Sequence, residues 1–406
     1  MKIITPTYIL TPNELLENHS VLFDETILKI SPTKELLENN SEIEHVILQE
    51  HSFLMPGLIN THVHLEFSAN KTTLNYGDFM KWLYSVIEHR ETLINDCSYD
   101  CMTKEIDTML KNGITTFGAI SSHGMDLEAC QDAKQNVVFF NELIGSQAAM
   151  ADVLFGDFVS RLESSKFTNR KGFYPAIAIH SPYSVHPILI KKAVEIAKIE
   201  NLKLTAHFLE SKAEHEWLSN HEGEFLDFFE KLLKQTTAIS DKEEFLEHFK
   251  DIPTLFTHAI HMDKKELQTI ADNNHTIIHC PISNRLLGNG VLNLKTLEEF
   301  NIPFTTATDG LSSNYTLDLF EELKIALFMH SHLPIETLAQ KLLDSVTINA
   351  AKALGLNTGV IQEGKNADML ILDLDDKPNE QLALHLILHR YNISKIFING
   401  ELVKDI

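Results

Sequence analysis

Short runs of apolar residues recur along the middle of the chain and alternate with stretches that have the spacing of amphipathic helices. The runs are continuous, which is typical of parallel strands buried on both faces. Segments such as Pro187–Glu200 and Leu317–Ser331 separate them. Eight strands alternating with helices predict an α/β fold, a TIM-like (β/α)8 barrel. A doubly wound open sheet is the alternative, but no GxGxxG turn follows the first strand. The predicted strands are Phe53–Asn60, Ile114–Ile120, Asn136–Ile144, Phe173–His180, Lys203–Phe208, Leu255–Ile260, Thr276–Pro281 and Phe304–Asp309.

The two ends of the chain have a different pattern, with short strand-like pieces and little helical periodicity apart from Leu382–His389. We expect residues 1–53 and 355–406 to pair into one small β-sandwich domain, and residues 54–354 to form the barrel. The charged, helical stretch 211–250 is interpreted as an insertion after the fifth barrel strand.

Composition limits the classes of function. The 406 residues include 34 Lys and Arg against 57 Asp and Glu, a net charge of -23. This charge argues against polymeric nucleic acid and anionic membrane surfaces as partners. The sequence shows no signal-peptide start and no apolar run long enough for a membrane span. Its four cysteines do not form a disulfide framework, so we expect a cytoplasmic protein. The 21 histidines prompt a search for a metal site.

Several histidines lie where predicted strands end. His62 and His64 are two residues apart, so in an extended chain their side chains point to the same side. His207 closes the fifth strand, His258 the sixth, and Asp309 the eighth. Because a barrel collects the carboxyl ends of its strands at one mouth, these residues predict a catalytic Zn²⁺ or Fe²⁺ site that retains a water.

A family resemblance supports this prediction. PGLINTHVHLE, TAHFLES, THAIHM, PISNRLLGNG, TATDGLSSN and GVIQEGKNADMLILD resemble motifs of the amidohydrolase superfamily, specifically its cytosine-deaminase-like or chlorohydrolase-like branch. The resemblance covers nearly the whole chain. It implies that the metal ligands are His62, His64, His207 and Asp309. It also implies that the catalytic residues are Glu210, His258 and Asp309.

The implied roles agree with the chemistry of these side chains. Asp309 can accept a proton from the attacking water as a general base, and a protonated Glu210 can deliver one to a ring nitrogen of the substrate. His258 can donate to the nucleophile or to the developing oxyanion. Glu210 could instead be a solvated residue that opens the inserted helix, and His258 a satisfied core histidine.

The number of metal ions also follows from the resemblance. Binuclear members of the superfamily usually carry a carboxylated lysine at the end of the fourth strand. The segment Phe173–His180 contains no lysine, and neither does Asn136–Ile144. A single divalent ion, Zn²⁺ or Fe²⁺, is therefore expected, which favours deamination or dechlorination of a heterocycle.

Candidate substrate contacts come from motifs near the barrel mouth. HSPYS, which begins at His180, resembles the segment of adenosine-type deaminases that contacts the nucleoside outside its base. Trp82 resembles the tryptophan that packs on the ligand, and Glu88 the glutamate that binds the ribose hydroxyls. The spacing from Trp82 to Glu88 is shorter than in those enzymes, so an ordinary surface position for Glu88 stays open. Glu66 could line the mouth, and Ser283 and Asn284 lie on the loop after the seventh strand.

LEFSANKTTLNYGDFMKWLYSVIEHRE is most similar to the 6-aminodeoxyfutalosine deaminases of the alternative menaquinone pathway. This resemblance implies conversion of an adenine nucleoside to its hypoxanthine counterpart with release of ammonia, by an enzyme that is often a homodimer. The alternatives are deamination of adenosylhomocysteine, methylthioadenosine or guanine, a dechlorinating hydrolase, and a catalytically dead binding subunit.

Two further histidine pairs have tempting spacings. His215 and His221 are six residues apart rather than the four of a zincin helix, so they do not share one helical face. His330 and His332 fall at a helix end away from the predicted strand ends, so both are expected at the surface.

Overall fold

The two ends of the chain form two β-sheets that share one core. The computed structural model describes residues 1–389 and 391–405; Arg390 and Ile406, which the predicted range 355–406 includes, lie outside the described residues. The strands of the two sheets are β1 Lys2–Thr5, β2 Tyr8–Leu10, β3 Leu15–Glu17, β4 His19–Phe23, β5 Ile27–Pro32, β6 His45–Ile47, β7 Ser52–Pro56, β16 Met369–Asp373, β17 Asn392–Ile398 and β18 Glu401–Asp405. The four-stranded sheet has the order β5-β4-β1-β6, and the six-stranded sheet has the order β18-β17-β16-β7-β2-β3.

Buried residues of both sheets pack into one hydrophobic cluster. Ile4 and Phe23 contribute from the four-stranded sheet, and Leu54, Met369 and Phe397 from the six-stranded one. The predicted β-sandwich built from both termini is therefore confirmed.

The predicted strand Phe53–Asn60 is divided at Gly57. Ser52–Pro56 pairs with Met369–Asp373 of the terminal sheet, and the chain then enters the barrel. A Cβ at Gly57 would lie 2.1 Å from the Thr115 hydroxyl oxygen, so this crossing requires glycine. The pairing attaches Ser52–Pro56 to the terminal sheet, while the division into domains at residue 54 stays a prediction.

Eight parallel strands form the barrel, as predicted, and each lies beside the strand that follows it along the chain. Every residue of the first three barrel strands along the chain is buried, which explains their continuous apolar runs. The two outer strands meet through the hydroxyls of Thr61 and Thr305, 2.9 Å apart. The strands are β8 Leu58–Val63, β9 Ile114–Ser121, β10 Asn136–Leu143, β11 Phe173–Ile179, β12 Leu204–Phe208, β13 Thr254–His258, β14 Thr276–His279 and β15 Phe304–Thr306.

Helices follow the barrel strands and cover their outer face. The stretch 211–250 after the fifth strand is helical, as predicted, and contains three helices; its being an insertion stays a prediction. In the described part of the chain, no helix combines the length and the apolar character needed to cross a bilayer. The helices are α1 Thr33–Glu38, α2 Phe79–Asp96, α3 Tyr99–Lys111, α4 Leu127–Asp132, α5 Ala151–Lys166, α6 Pro187–Glu200, α7 Lys212–Asn220, α8 Glu224–Leu233, α9 Lys242–Glu247, α10 Lys264–Asp272, α11 Pro281–Leu286, α12 Leu294–Glu299, α13 Leu319–Met329, α14 Ile335–Ser345, α15 Ile348–Leu354 and α16 Leu382–Leu388.

Candidate active site

Three histidines converge at the carboxyl ends of the barrel strands. His62 and His64 lie at the end of β8 with ring centroids 4.9 Å apart, and His207 of β12 lies 4.9 Å from His62. The Nε2 atoms of His64 and His207 are 3.4 Å apart. One nitrogen from each of the three rings lies within 4.8 Å of the others, a spacing that can hold one metal ion.

Asp309 completes this group from the end of the eighth strand. Its φ of +57° ends the strand conformation and turns the residue into the mouth. The Asp309 N–H donates to the carbonyl oxygen of His62 at 3.1 Å, so the first and eighth strands position each other here. The Asp309 Oδ1 atom lies 3.6 Å from His62 Nε2 and 3.7 Å from His64 Nε2. The hydroxyls of Ser283 and Ser313 donate to Oδ2 at 2.8 and 2.7 Å.

The chemistry of this donor set fits a divalent cation. Burial, together with His62, lowers the pKa of His64 to about 3 and holds the pKa of His207 well below its usual range. Both rings are therefore neutral, as metal ligands must be. His207 Nδ1 donates to the carbonyl oxygen of His180 at 2.7 Å, which leaves Nε2 with its lone pair toward the cluster. His62 Nε2 is buried and has no hydrogen-bond partner within the described residues, which a ligating nitrogen would explain.

A second group, Glu142, His180 and His207, also has metal-ligand spacing. Sequence reasoning missed Glu142, which is fully buried at the end of β10 and accepts from the Ser122 hydroxyl at 2.5 Å. Burial raises the pKa of Glu142 to about 7. His207 belongs to both groups, and its Nδ1 is committed to His180. Because Nε2 can bind one ion only, the two groups cannot be filled together.

The backbone at Glu210 is held in an unusual conformation. Leu209, which precedes it, has a φ of +46°. The N–H groups of Leu209 and Glu210 donate to the two carboxylate oxygens of Glu214 at 3.0 and 2.8 Å. Glu214 is buried in the first turn of α7. This contact holds the turn so that the Glu210 side chain faces the cavity.

The Glu210 carboxyl lies beside two polar side chains. Its Oε1 atom accepts a hydrogen bond from Asn289 Nδ2 at 3.1 Å and lies 3.5 Å from His258 Nε2. Burial and the nearby Asp309 raise the pKa of Glu210 well above its usual range. This shift favours the protonated form, which a general acid needs.

His258 is oriented by Asn284. Its φ of +69° ends the sixth strand, and burial lowers the pKa of its ring. The Nδ1 atom lies 2.9 Å from Asn284 Oδ1, to which it donates in this orientation of the amide. A neutral His258 then presents Nε2 as an acceptor, 3.9 Å from Asp309 Oδ2.

A cavity of about 430 Å³ opens above these residues and contains Glu210, His258 and Asp309 in its wall. Of the predicted substrate contacts, Trp82 and His180 line it. Ser283 and Asn284 are fully buried and support Asp309 and His258 instead.

The structure corrects the expectation that Glu66 lines the mouth. Glu66 is 2% exposed, and its carboxylate accepts from the N–H groups of Ser122, His123 and Met125 at 2.9 to 3.1 Å. The carboxylate therefore braces the loop after β9. Burial raises its pKa to about 7 despite these bonds.

Glu88 also differs from expectation, because its side chain is 74% exposed and points away from the cavity. The cavity-facing residues of α2 are Trp82, Leu83, Val86, Ile87 and Arg90. At 100° per residue, position 88 lies opposite the centre of that face. Sequence reasoning missed Arg90, although the helical spacing from Trp82 would have indicated it.

The prediction that His330 lies at the surface is wrong. It is fully buried and its Nε2 lies 3.2 Å from His279 Nε2. The reason is helical spacing, because position 330 continues the buried face of α13 formed by Leu319, Leu323 and Ala326. His332 is exposed, as expected.

A barrel that joins three imidazoles and a carboxylate at its mouth to a buried acid of raised pKa has the features of a metal-dependent hydrolase. The chain belongs to the amidohydrolase family, which matches residues 53–403.

The chain is similar over nearly its whole length to two deaminases and, in fold, to a chlorohydrolase. The chain is 48% identical over 405 residues, 99% of each sequence, to the aminodeoxyfutalosine deaminase of a Nitratiruptor species. It superposes with a TM-score of 0.94 and 32% identity on Helicobacter pylori aminofutalosine deaminase in complex with methylthio-coformycin, covering 99% of this chain and 100% of that one. The atrazine chlorohydrolase TrzN of Arthrobacter aurescens, complexed with zinc, shares the fold at 20% identity, with a TM-score of 0.83 over 100% of this chain and 95% of that one.

Proposed function

We propose that this chain is a metal-dependent hydrolytic deaminase that converts an adenine nucleoside to its hypoxanthine counterpart, and that 6-aminodeoxyfutalosine is the substrate, in menaquinone biosynthesis. The observation that carries the proposal is the buried Glu210 carboxyl, which faces the cavity beside the histidine and aspartate cluster and whose pKa is raised by burial and by Asp309. The 48% identity to an aminodeoxyfutalosine deaminase over the full length supports the substrate.

In this proposal His62, His64, His207 and Asp309 hold one divalent cation, Zn²⁺ or Fe²⁺. When bound, the cation lowers the pKa of a water molecule toward neutrality, so that hydroxide is available. His207 is oriented for this role by its hydrogen bond to the His180 carbonyl oxygen.

The remaining steps belong to side chains. Asp309 takes up the proton of the attacking water, while its Oδ2 stays hydrogen-bonded to Ser283 and Ser313. Glu210 gives its proton to a ring nitrogen of the purine. A bond from the water oxygen to the carbon bearing the amino group forms, and the carbon–nitrogen bond breaks. The amine takes up the proton held by Asp309 and leaves as ammonia, and the hydroxyl proton left on the carbon passes to Glu210, which restores both side chains.

The contact between His258 and Asn284 supports acceptance of a hydrogen bond by His258 rather than donation. Because its Nδ1 donates to Asn284, the neutral ring offers Nε2 as an acceptor. We propose that His258 accepts a hydrogen bond from the O–H of the attacking water and so directs its lone pair toward the substrate, rather than donating to it.

The cavity has room and charge beyond what the purine needs. Trp82, Val86 and Ile87 provide apolar wall, and Arg90 lies on the same helix face. Arg90 has no hydrogen-bond or ion-pair partner within residues 1–389 and 391–405. We propose that this part of the cavity holds the non-base portion of the nucleoside, and that Arg90 favours an anionic group there.

A substrate panel tests the proposal. Metal-analysed protein is incubated with 6-aminodeoxyfutalosine, adenosine, adenosylhomocysteine, methylthioadenosine, guanine and a chlorotriazine. We expect stoichiometric ammonia and a blue shift of the purine absorbance, with the highest kcat/KM for 6-aminodeoxyfutalosine. Release of chloride from the triazine, or preferential turnover of guanine, would assign the site to another reaction. If no compound of the panel were turned over, the protein would be a catalytically dead binding subunit.

Assembly and location stay predictions. We propose a homodimer in the cytoplasm that acts on a free nucleoside, with neither polymeric nucleic acid nor a membrane as partner. Sedimentation at several protein concentrations would test the dimer.

A further inference from the structure

Asn289 lies in the loop after α11, within the motif PISNRLLGNG. It is 4% exposed. Its backbone is fixed at both ends, since its N–H donates to the Asn284 carbonyl oxygen at 3.0 Å and its own carbonyl oxygen lies 2.9 Å from His261 Nε2. Its side-chain Nδ2 donates to Glu210 Oε1 at 3.1 Å. Asn289 therefore contacts the proposed acid from a fixed position.

Two side chains approach the same oxygen of Glu210. Asn289 Nδ2 is a donor at 3.1 Å, whereas His258 Nε2, an acceptor in the tautomer set by Asn284, lies at 3.5 Å. A carboxyl proton on Oε1 would face His258 and be unavailable to the substrate. The Asn289 N–H that donates to Oε1 disfavours a proton on that oxygen, so the carboxyl proton of Glu210 stays on Oε2.

From this geometry we infer that Asn289 is a positioning residue that keeps the acidic proton of Glu210 on Oε2, aimed at the purine. The inference rests on the proposed function, because it concerns the proton that Glu210 delivers.

The contact with Glu210 distinguishes the two orientations of the Asn289 amide. Its Oδ1 is buried and has no hydrogen-bond partner within the described part of the chain. Reversing the amide would place Oδ1 against Oε1 of Glu210, and two acceptors tolerate that contact only when the proton lies between them. The orientation of the amide and the position of the proton are thus linked.

The test is a double-mutant cycle. Asn289→Leu removes the donor in the wild type and in a Glu210→Gln background, and Asn289→Ala is a smaller second variant in case leucine does not fit. We expect Asn289→Leu to lower kcat for ammonia release about tenfold to hundredfold in the wild type, with KM nearly unchanged, because a misplaced catalytic group costs about this much. In Glu210→Gln the same change should have little further effect.

Calorimetric titration with methylthio-coformycin extends the cycle to variants with little turnover. A transition-state analogue uses the contacts of the reacting nucleoside, so Asn289→Leu should weaken its binding in the wild type but not in Glu210→Gln. Asn293→Ala is the matched control, since this exposed amide in the same loop caps α12 through the N–H of Thr296. We expect it to leave kcat unchanged.

The outcomes separate the two claims. If Asn289→Leu lowered kcat equally in the wild type and in Glu210→Gln, or raised KM with kcat unchanged, Asn289 would not act through Glu210. Either result would overturn the inference and leave the proposed function intact. If the wild type released no ammonia from any adenine nucleoside, the proposed function would be wrong and the inference would fall with it.

Discussion

Replacing Glu66 tests whether its carboxylate braces a loop or contacts the substrate. In the structure this buried carboxylate holds three backbone N–H groups, those of Ser122, His123 and Met125. In Glu66→Ala all three donors lose their acceptor. In Glu66→Gln one acceptor oxygen remains, so the loss in free energy of unfolding should be roughly half of that in Glu66→Ala.

The size of the effect follows from these bonds. A hydrogen bond contributes about 1.5–3 kcal/mol net when it is made to a charged group and about 0.5–1.5 kcal/mol when it is made to a neutral one, and the pKa of about 7 leaves Glu66 partly ionised at pH 7. The loop is partly exposed, with Met125 at 43%, so water replaces part of each bond. We take about 1 kcal/mol for each, or about 3 kcal/mol in all. At about 2.1 cal/mol/K of unfolding entropy per residue, a chain of this length should lose about 3–4 °C in Tm.

Differential scanning calorimetry at pH 7 measures the shift, and steady-state ammonia release measures kcat and KM on the same preparations. The matched control is Glu88→Gln, because Glu88 was also predicted to bind substrate but is 74% exposed. We expect it to change neither Tm nor KM. A Glu66→Ala variant with unchanged Tm and a strongly raised KM would refute the bracing role and restore a substrate contact.

Three other changes have distinct expected results. Arg90→Gln should raise KM for nucleosides with an anionic 5′ substituent and leave KM for adenosine unchanged; equal effects on both would contradict a charge-specific contact. His62→Ala should lose bound metal on gel filtration, read by elemental analysis, and full retention would contradict its assignment as a ligand. Burial and the nearby Glu66 raise the pKa of Asp126 from 3.8 to about 8, so the folded state binds the extra proton and the free energy of unfolding should fall as pH rises from about 4 to about 8. Asp126→Asn should reduce that slope by up to about 1.4 kcal/mol per pH unit, and an unchanged urea midpoint profile would argue against a buried proton there.

The strand ends explain why most of the site could be predicted from the sequence. His62 and His64 share a side because extended residues alternate, and a parallel barrel brings the ends of distant strands together. His207, His258 and Asp309 were therefore expected at the same mouth, and the structure places them there.

Other parts depended on information that strand patterns do not contain. Asn289 contacts Glu210 across 79 positions of sequence, through a loop whose path no periodicity describes. Glu66 was placed in the mouth by its proximity to His64, but which way a side chain turns after a strand depends on the partners available, here three loop N–H groups. Gly57 divides a run that is apolar on both sides, so composition gave no sign of the change of sheet.

The most direct test of the central claim compares the wild type with Glu210→Gln in ammonia release from 6-aminodeoxyfutalosine, with metal content measured on both. A glutamine retains the shape of the side chain but carries no acidic proton. The account predicts an active wild type, a fall in kcat of about 10²–10⁴ in the variant, and equal metal content in the two proteins. A variant with wild-type turnover, or one that loses its metal, would contradict the assignment of Glu210 as the acid.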